Sequence, residues 1–102
     1  MMKEQSSHFD ATEFLTDQAT IAHYLSAALD DADSNVFIAA LSDVARARGI
    51  TQMARTAGVG RESLYKTLAP GSKPRYETIR KLLDTLGVKL MVVPAQASTP
   101  SA

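Results

Sequence analysis

The segment from Ile50 to Leu68 constrains the fold of this chain more than any other. Thr51 carries a hydroxyl that can cap a helix N-terminus, so we expect a short helix from about Thr51 to Ala57. Gly58 follows, where helices commonly end in a left-handed residue, a conformation that costs glycine little. A second helix is expected from about Arg61 to Leu68 or Ala69. The segment therefore predicts two short helices joined by a tight turn.

The spacing within this segment predicts how the two helices pack. Ala54 lies four residues before Gly58, where a small side chain allows close approach, and Leu64 and Leu68 are spaced to face the core. Such a pair can form a helix-turn-helix, whose second helix enters the major groove of DNA. The same spacing also occurs in helical hairpins that never contact DNA.

The second helix of the pair should present polar side chains on its outward face. Such groups can donate to phosphates and to base edges, and arginine suits bidentate pairing with guanine. Arg61 and Lys66 are the strongest candidates, with Glu62 able to accept from cytosine. The full set of candidate DNA-contacting residues on this helix is Arg61, Glu62, Ser63, Tyr65 and Lys66.

The formal net charge of zero conceals a division of charge along the chain. Residues 1–43 contain one lysine and eight acidic residues, and residues 44–102 contain ten basic and three acidic residues. Because electric fields are local and screened over ~8–10 Å, separated charges act on different partners. The basic half contains the helix pair. The acidic half is either a solvated surface or a face for a basic protein partner.

Composition excludes several other classes of protein. The 102 residues provide one hydrophobic core, and the absence of cysteine excludes disulfides and thiolate sites. The two histidines have no ligand set around them, so no metal or other cofactor is expected. The sequence contains no apolar leader, no membrane span and no catalytic motif. We therefore expect a cytoplasmic protein that is not an enzyme.

Helical periodicity predicts three further helices in an all-α fold. The first begins at Thr16 or Asp17 and ends near Asp31, the second covers about 34–48 with Asp33 or Ser34 as its cap, and the last covers about 75–86. A capping box at 10–13 predicts one additional short turn. The expected buried positions are Ile21, Leu25, Ala28, Leu29 and Ala32; Val36, Phe37, Ala40, Leu41, Val44 and Ala45; and Ile79, Leu82, Leu83 and Leu86.

The loop before the last helix contains a second group of basic residues. Lys73 and Arg75 flank the expected helix N-terminus, where free amides and the positive end of the helix dipole favour a phosphate. They are candidate contacts to the DNA backbone, although a basic loop without a partner has the same composition.

Residues 88–93 change to an alternating pattern that predicts a short β-strand. A single strand cannot satisfy its own backbone, so it must pair with something. The alternatives are a second copy across a two-fold axis, the sheet edge of a partner protein, or a coil packed on the helices. We favour the homodimer, with Val88, Leu90, Met91 and Val92 as the dimer or partner strand.

The Ile50–Leu68 segment resembles the helix-turn-helix of the lambda-repressor/Cro-like (XRE-type) family. Residues 9–15, 21–29, 40–68 and 86–94 together resemble the HigA-type probable addiction module antidote proteins. This resemblance implies a lambda-repressor-like domain of five or six helices over residues 9–94, with tails at 1–8 and 95–102. It also implies that Gln52 contacts a backbone phosphate. Two residues depart from the family pattern: Gly60 replaces a capping Ser or Thr, and Thr67 replaces an apolar residue.

The same resemblance implies an antitoxin that represses its own operon by binding double-stranded DNA at the promoter, with a small RelE/HigB-like ribonuclease as toxin partner. Two alternatives remain open. One is a plain phage-type regulator without a toxin, and the other is an interaction module that binds only protein.

Overall fold

A computed structural model describes residues 17–95, and these residues form five α-helices. The helices are α1 (Gln18–Leu29), α2 (Ser34–Arg48), α3 (Ile50–Ala57), α4 (Arg61–Thr67) and α5 (Tyr76–Leu86). The prediction of an all-α protein is confirmed for this part of the chain. The predicted tail at 1–8, the capping box at 10–13 and all but the first residue of the predicted tail at 95–102 lie outside the described residues.

Aspartates cap the first two helices. Asp17 Oδ2 accepts from the Thr20 amide at 3.2 Å, and Asp33 Oδ1 accepts from the Asn35 amide at 2.9 Å. Each bond satisfies one of the amides that a helix N-terminus leaves without an intrahelical partner. Asp33 was one of the two caps predicted for α2, whereas Asp17 was predicted as a possible first residue of α1 and not as its cap.

The predicted cap at Thr51 is wrong. Helix α3 begins one residue earlier, at Ile50, and Gly49 is both its N-cap and the C-cap of α2. The Gly49 carbonyl accepts from the Met53 amide at 3.0 Å, which places Thr51 inside the first turn. A threonine within the turn cannot act as the cap, because the cap residue lies outside the helical backbone.

Two helices end in the same hydrogen-bonded arrangement around a left-handed glycine. At Gly58 (φ 74°), the Val59 amide donates to the Ala54 carbonyl at 3.0 Å. At Gly87 (φ 77°), the Val88 amide donates to the Leu83 carbonyl at 3.1 Å. These are Schellman motifs, in which the residue after the glycine also packs against the helix it terminates.

One apolar core holds the helices together. Helix α1 packs on α2, α2 packs on α3, and α3 packs on both α4 and α5. Within residues 17–95 no polar or charged side chain is buried. The fully enclosed side chains, each contributing roughly 1.5–3 kcal/mol through burial, are Ile21, Leu41, Val44, Met53, Leu64, Leu82 and Leu86.

Most of the predicted core positions are buried, and the exceptions lie near the α1–α2 connection. Leu29, Ala32 and Val36 are exposed, whereas Ile38, which was not predicted, is buried. Helix α1 ends at Leu29, so the helical periodicity that placed Leu29 and Ala32 on the buried face stops there.

Residues 88–95 contain neither helix nor strand in the single chain. The strand predicted at 88–93 is not confirmed, since a strand is defined by ladder bonds to a neighbour and residues 88–95 make none within the described part of the chain. In addition, the Val88 amide is already bonded to Leu83, and Val88 packs against the core. Val88 is thus the end of the α5 cap and not the first residue of a strand.

Candidate functional site

Helix α4 has one buried face and one exposed polar face. Leu64 is 1% exposed, and Leu68, immediately after the helix, is 6% exposed, as the spacing predicted. These two side chains fix α4 on the core and set its rotation about its own axis. The residues that this rotation leaves exposed are the five predicted ones, Arg61, Glu62, Ser63, Tyr65 and Lys66.

Arg61 and Tyr65 form a pair on the exposed face. The guanidinium carbon of Arg61 lies 5.6 Å from the centroid of the Tyr65 ring, and Nη2 lies 3.5 Å from the Tyr65 hydroxyl oxygen. A cation–π contact at this distance attracts the guanidinium to the ring face. The pair therefore restricts the Arg61 side chain before any ligand is bound.

Helices α3, α4 and α5 all begin without a side-chain cap. Their N-cap residues are Gly49, Gly60 and Arg75, and none of them makes a side-chain cap hydrogen bond. This contrasts with α1 and α2, which aspartates cap. Uncapped N-terminal amides together with the helix dipole attract anions. Helix α4 has no capping hydroxyl because Gly60 stands where the resembled family has a Ser or Thr.

Polar side chains lie close to the uncapped N-termini of α3 and α5. Gln52 is exposed in the first turn of α3. Lys73 and Arg75 are exposed where the connecting loop enters α5. Gln52 is the third residue of α3, Arg75 is the N-cap of α5, and Lys73 lies in the loop before it, so each of the three is near a helix N-terminus as expected.

The loop between α4 and α5 is attached to the end of α4. The Ser72 hydroxyl donates to the Thr67 carbonyl at 2.5 Å, and the Ser72 amide donates to the Ala69 carbonyl at 3.1 Å. These bonds connect the exposed helix to the segment that carries Lys73. Thr67 therefore contributes a backbone acceptor, and its half-buried side chain is tolerated at a position expected to be apolar.

The two arginines at the end of α2 lie in different environments. Nη2 of Arg46 lies 2.5 Å from Oδ1 of Asp43, and Nη1 donates to the Ser42 hydroxyl at 3.0 Å. Arg48 instead lines a cleft of about 230 Å³ together with Gln52 and Thr56. Thr56 was not predicted to lie near a candidate site. Its four-residue spacing from Gln52 within α3 is the signal that the two side chains share a helix face.

The segment after α5 exposes a series of apolar side chains. Leu90 is 39% exposed, Met91 76%, Val92 98% and Val93 65%. Burial of such a continuous series away from water would be favourable, which makes it a candidate interaction surface. The structure thus separates the predicted strand residues, since Val88 is packed on the core while Leu90, Met91 and Val92 are not.

Two other kinds of site are not found in the described part of the chain. Residues 17–95 hold no group of three or more potential metal ligands. No helix in this range is both long and apolar enough to cross a membrane.

The geometry defines a class of small all-helical protein with two short helices joined by a glycine turn, and with an exposed basic and aromatic face on the second. Comparison with known proteins gives the family: the model of the probable addiction module antidote proteins matches residues 5–94, and the chain belongs to that family. Membership indicates an antitoxin role and a toxin partner of some kind.

One curated relative supports this assignment. An uncharacterized protein of Haemophilus influenzae is 38% identical over 91 residues, which are 89% of this chain and 94% of the relative. No solved structure matches the chain significantly.

Proposed function

We propose that this protein is the antitoxin of a toxin–antitoxin module and a sequence-specific repressor of its own operon. In this proposal α3 and α4 are the two helices of a helix-turn-helix in a lambda-repressor-like domain. The protein acts in the cytoplasm, where its operator DNA and its toxin are both present. It uses no metal and no cofactor, and it is not an enzyme.

The exposed face of α4 is the observation that supports DNA binding most directly. Leu64 and Leu68 anchor the helix, so Arg61 and Lys66 project from a fixed support and not from a flexible loop. Tyr65 restricts Arg61, which lowers the entropy lost when the guanidinium binds a guanine edge. Ser63 and Glu62 lie on the same exposed helix and supplement these contacts.

Phosphate contacts on either side of α4 would position it in the groove. Gln52 at the start of α3, and Lys73 and Arg75 at the start of α5, lie beside uncapped amides that suit phosphate oxygens. Contacts of this kind set orientation and carry no sequence information. Gln52 precedes α4 in the chain, and Lys73 and Arg75 follow it, so the proposed phosphate contacts flank the reading helix in sequence and would hold it in register.

A homodimer would give the repressor its specificity for a two-fold site. Leu90, Met91 and Val92 would pair with the same residues of a second copy in an antiparallel ribbon. Two copies of α4 would then read half-sites about one DNA turn apart, ~34 Å. The ribbon would also bury the most exposed apolar side chains of the described chain. Val88, whose amide is occupied, would stay on the core side of the ribbon.

The toxin in this proposal is a small RelE/HigB-like ribonuclease. An enzyme that binds RNA carries excess positive charge, which the acidic half of this chain complements. A plain regulator without a toxin and a module that binds only protein are the alternatives, and they differ from the proposal in the partners that they require.

The deciding experiment is a titration of the protein with the DNA upstream of its own gene, at two salt concentrations and beside scrambled DNA. We expect specific binding that weakens steeply with salt, with a slope of about −0.9 per phosphate neutralised. The variant R61A/K66A should lose discrimination between the two DNAs, while Lys73→Ala should weaken binding to both and reduce the slope by about one.

Two results would contradict parts of the proposal. A folded wild-type protein with no preference for its promoter, alone or with the toxin present, would leave only the protein-binding alternative. Specific DNA binding without any protein from the neighbouring gene bound would favour the plain regulator.

A further inference from the structure

A groove of about 340 Å³ opens between the end of α1, the start of α2 and the loop that enters α5. Its walls include Leu29 from α1, Phe37 and Ile38 from α2, and Ile79 from α5. Phe37, Ile38 and Ile79 belong to the core, but Leu29 is 48% exposed. The groove is therefore a place where the hydrophobic core is accessible from solvent.

The α1–α2 side of this groove is acidic. Asp31 lines it, and Asp30 and Asp33 are exposed in the same connection between the two helices. Oδ1 of Asp31 accepts from the Asp33 amide at 2.8 Å, a bond that restrains the backbone of the connection. Lys73 lies on the opposite wall, and within residues 17–95 it is the cation that lines the groove.

On the basis of the proposed function, we propose that this groove is the docking site for the toxin. The segment that it takes is basic and carries one aliphatic or aromatic anchor. The anchor would enter between Leu29 and Phe37, where apolar area is available for burial, and the basic groups would face Asp30 and Asp31. Such a combination of a central apolar anchor and charged rim is typical of protein recognition.

Charge distinguishes a basic protein segment from two other candidate occupants of the groove, DNA and a second copy of this chain. Three carboxylates in four residues repel a phosphate backbone, so the α1–α2 wall of the groove does not continue the proposed DNA surface, to which Lys73 on the opposite wall belongs. The exposed apolar segment of a second copy, residues 89–93, has a single base, Lys89, to set against these three carboxylates. A basic protein segment satisfies both the apolar wall and the acidic rim.

The test compares pairs of variants that make the same chemical change inside and outside the groove. Leu29→Lys and Asp31→Lys alter the groove. Val36→Lys and Asp84→Lys are the controls, because Val36 is an exposed aliphatic residue of α2 and Asp84 an exposed acid of α5, and neither lines the groove. Each full-length variant is titrated calorimetrically with the purified small basic protein encoded beside this gene.

We expect both groove variants to bind that protein at least about tenfold more weakly, and the controls to stay within about twofold of wild type. Operator binding and sedimentation should be the same for all four variants. Asp31→Lys removes the bond to the Asp33 amide, so Leu29→Lys, which leaves every described hydrogen bond intact, separates loss of docking from loss of local structure.

Three outcomes would overturn the proposal. If all variants bind the toxin like wild type, the docking site is elsewhere while the antitoxin function stands. If wild type itself does not bind the neighbouring protein, the antitoxin function fails together with the groove. If Leu29→Lys changes the sedimentation coefficient, or if Phe37 of the free protein shows magnetization transfer to Phe9 or Phe14, the groove accepts a second copy or the chain's own N-terminal segment.

Discussion

The hydroxyl of Tyr24 in α1 donates a hydrogen bond of 2.6 Å to Oδ2 of Asp43 in α2. Asp43 receives Arg46 on its other oxygen, so three side chains on two helices form one polar bridge. The bridge lies beside the core contact between α1 and α2. It links α1 to the helix that leads into the candidate DNA-binding pair.

This bridge predicts a loss of stability at alkaline pH. Partial burial, and then the hydrogen bond to Asp43, raise the pKa of Tyr24 to about 12 from an ordinary value of 10.0. Because the pKa of the folded state is the higher one, the contribution is complete below pH 10 and is lost as pH rises toward 12. Urea denaturation at intervals of pH measures the decline.

The variants that isolate this effect are Tyr24→Phe and Tyr76→Phe. Tyr24→Phe should lose about 1 kcal/mol at pH 7 and then decline less than wild type between pH 10 and 12. Tyr76 is 62% exposed, so removing its hydroxyl should leave the wild-type curve unchanged. If the unfolding free energies of wild type and Tyr24→Phe decline in parallel as pH rises, the hydrogen bond between Tyr24 and Asp43 does not form in solution.

Replacing glycine by serine should have opposite effects on stability at the two glycines of the turn between α3 and α4. Gly58 has φ 74°, so Gly58→Ser should destabilise the protein by ~1–2 kcal/mol through left-handed strain. Gly60 has φ −69° and caps α4 without a side chain, so Gly60→Ser should stabilise it by a few tenths of a kcal/mol. Thermal denaturation should give a lower melting temperature than wild type for Gly58→Ser and a higher one for Gly60→Ser. Shifts in the same direction would contradict the turn geometry.

Two adjacent residues of α4 should separate folding from binding. Leu64→Ala removes a side chain that is 1% exposed and should cost ~2–5 kcal/mol of unfolding free energy. Tyr65→Ala removes one that is 51% exposed and should change that free energy by less than ~0.5 kcal/mol. The unfolding free energy is measured in urea. Operator affinity should fall for Tyr65→Ala even though the fold is intact, and a large loss of stability there would mean that Tyr65 is structural.

The C-terminal segment should act in assembly without acting in folding. Val92 is 98% exposed, so Val92→Lys should leave the fold unchanged while the added charge opposes burial in a paired ribbon. Sedimentation velocity should show a shift from dimer to monomer. Val36→Lys adds the same charge on α2 and should leave the dimer intact. A dimeric Val92→Lys protein would place the dimer contact elsewhere.

Local sequence signals were sufficient for most of the backbone. Apolar residues at helical spacing located the helices, and Gly58 and Gly87 marked helix ends because few other residues adopt a left-handed backbone at low cost. The side chains that anchor α4, Leu64 and Leu68, followed from the same spacing. Which face of α4 is exposed was therefore predictable, whereas its function as a DNA reader remains a proposal.

Errors in the prediction arose where a residue's position depends on its neighbours in space. Thr51 has the chemistry of a cap. However, Gly49 is a cap of both α2 and α3, so α3 begins at Ile50, one residue before Thr51. Val88 has the composition of a strand, but the Schellman motif of α5 uses its amide. Both errors have the same cause, since a propensity describes one residue and a hydrogen bond requires two.

The sequence by itself determined the helical class, the helix ends at glycines and the division of charge between the two halves, because these depend on local backbone preference and on composition. Only the tertiary structure decided that Leu29 stays exposed, that Arg61 lies over Tyr65, and that the acidic α1–α2 connection borders an open part of the core. The exposure of Leu29 and the position of the acidic connection depend on the packing of separate helices, which no local pattern encodes. The Arg61–Tyr65 contact has a local i, i+4 spacing, but the rotamers that bring the two side chains together are visible only in the structure.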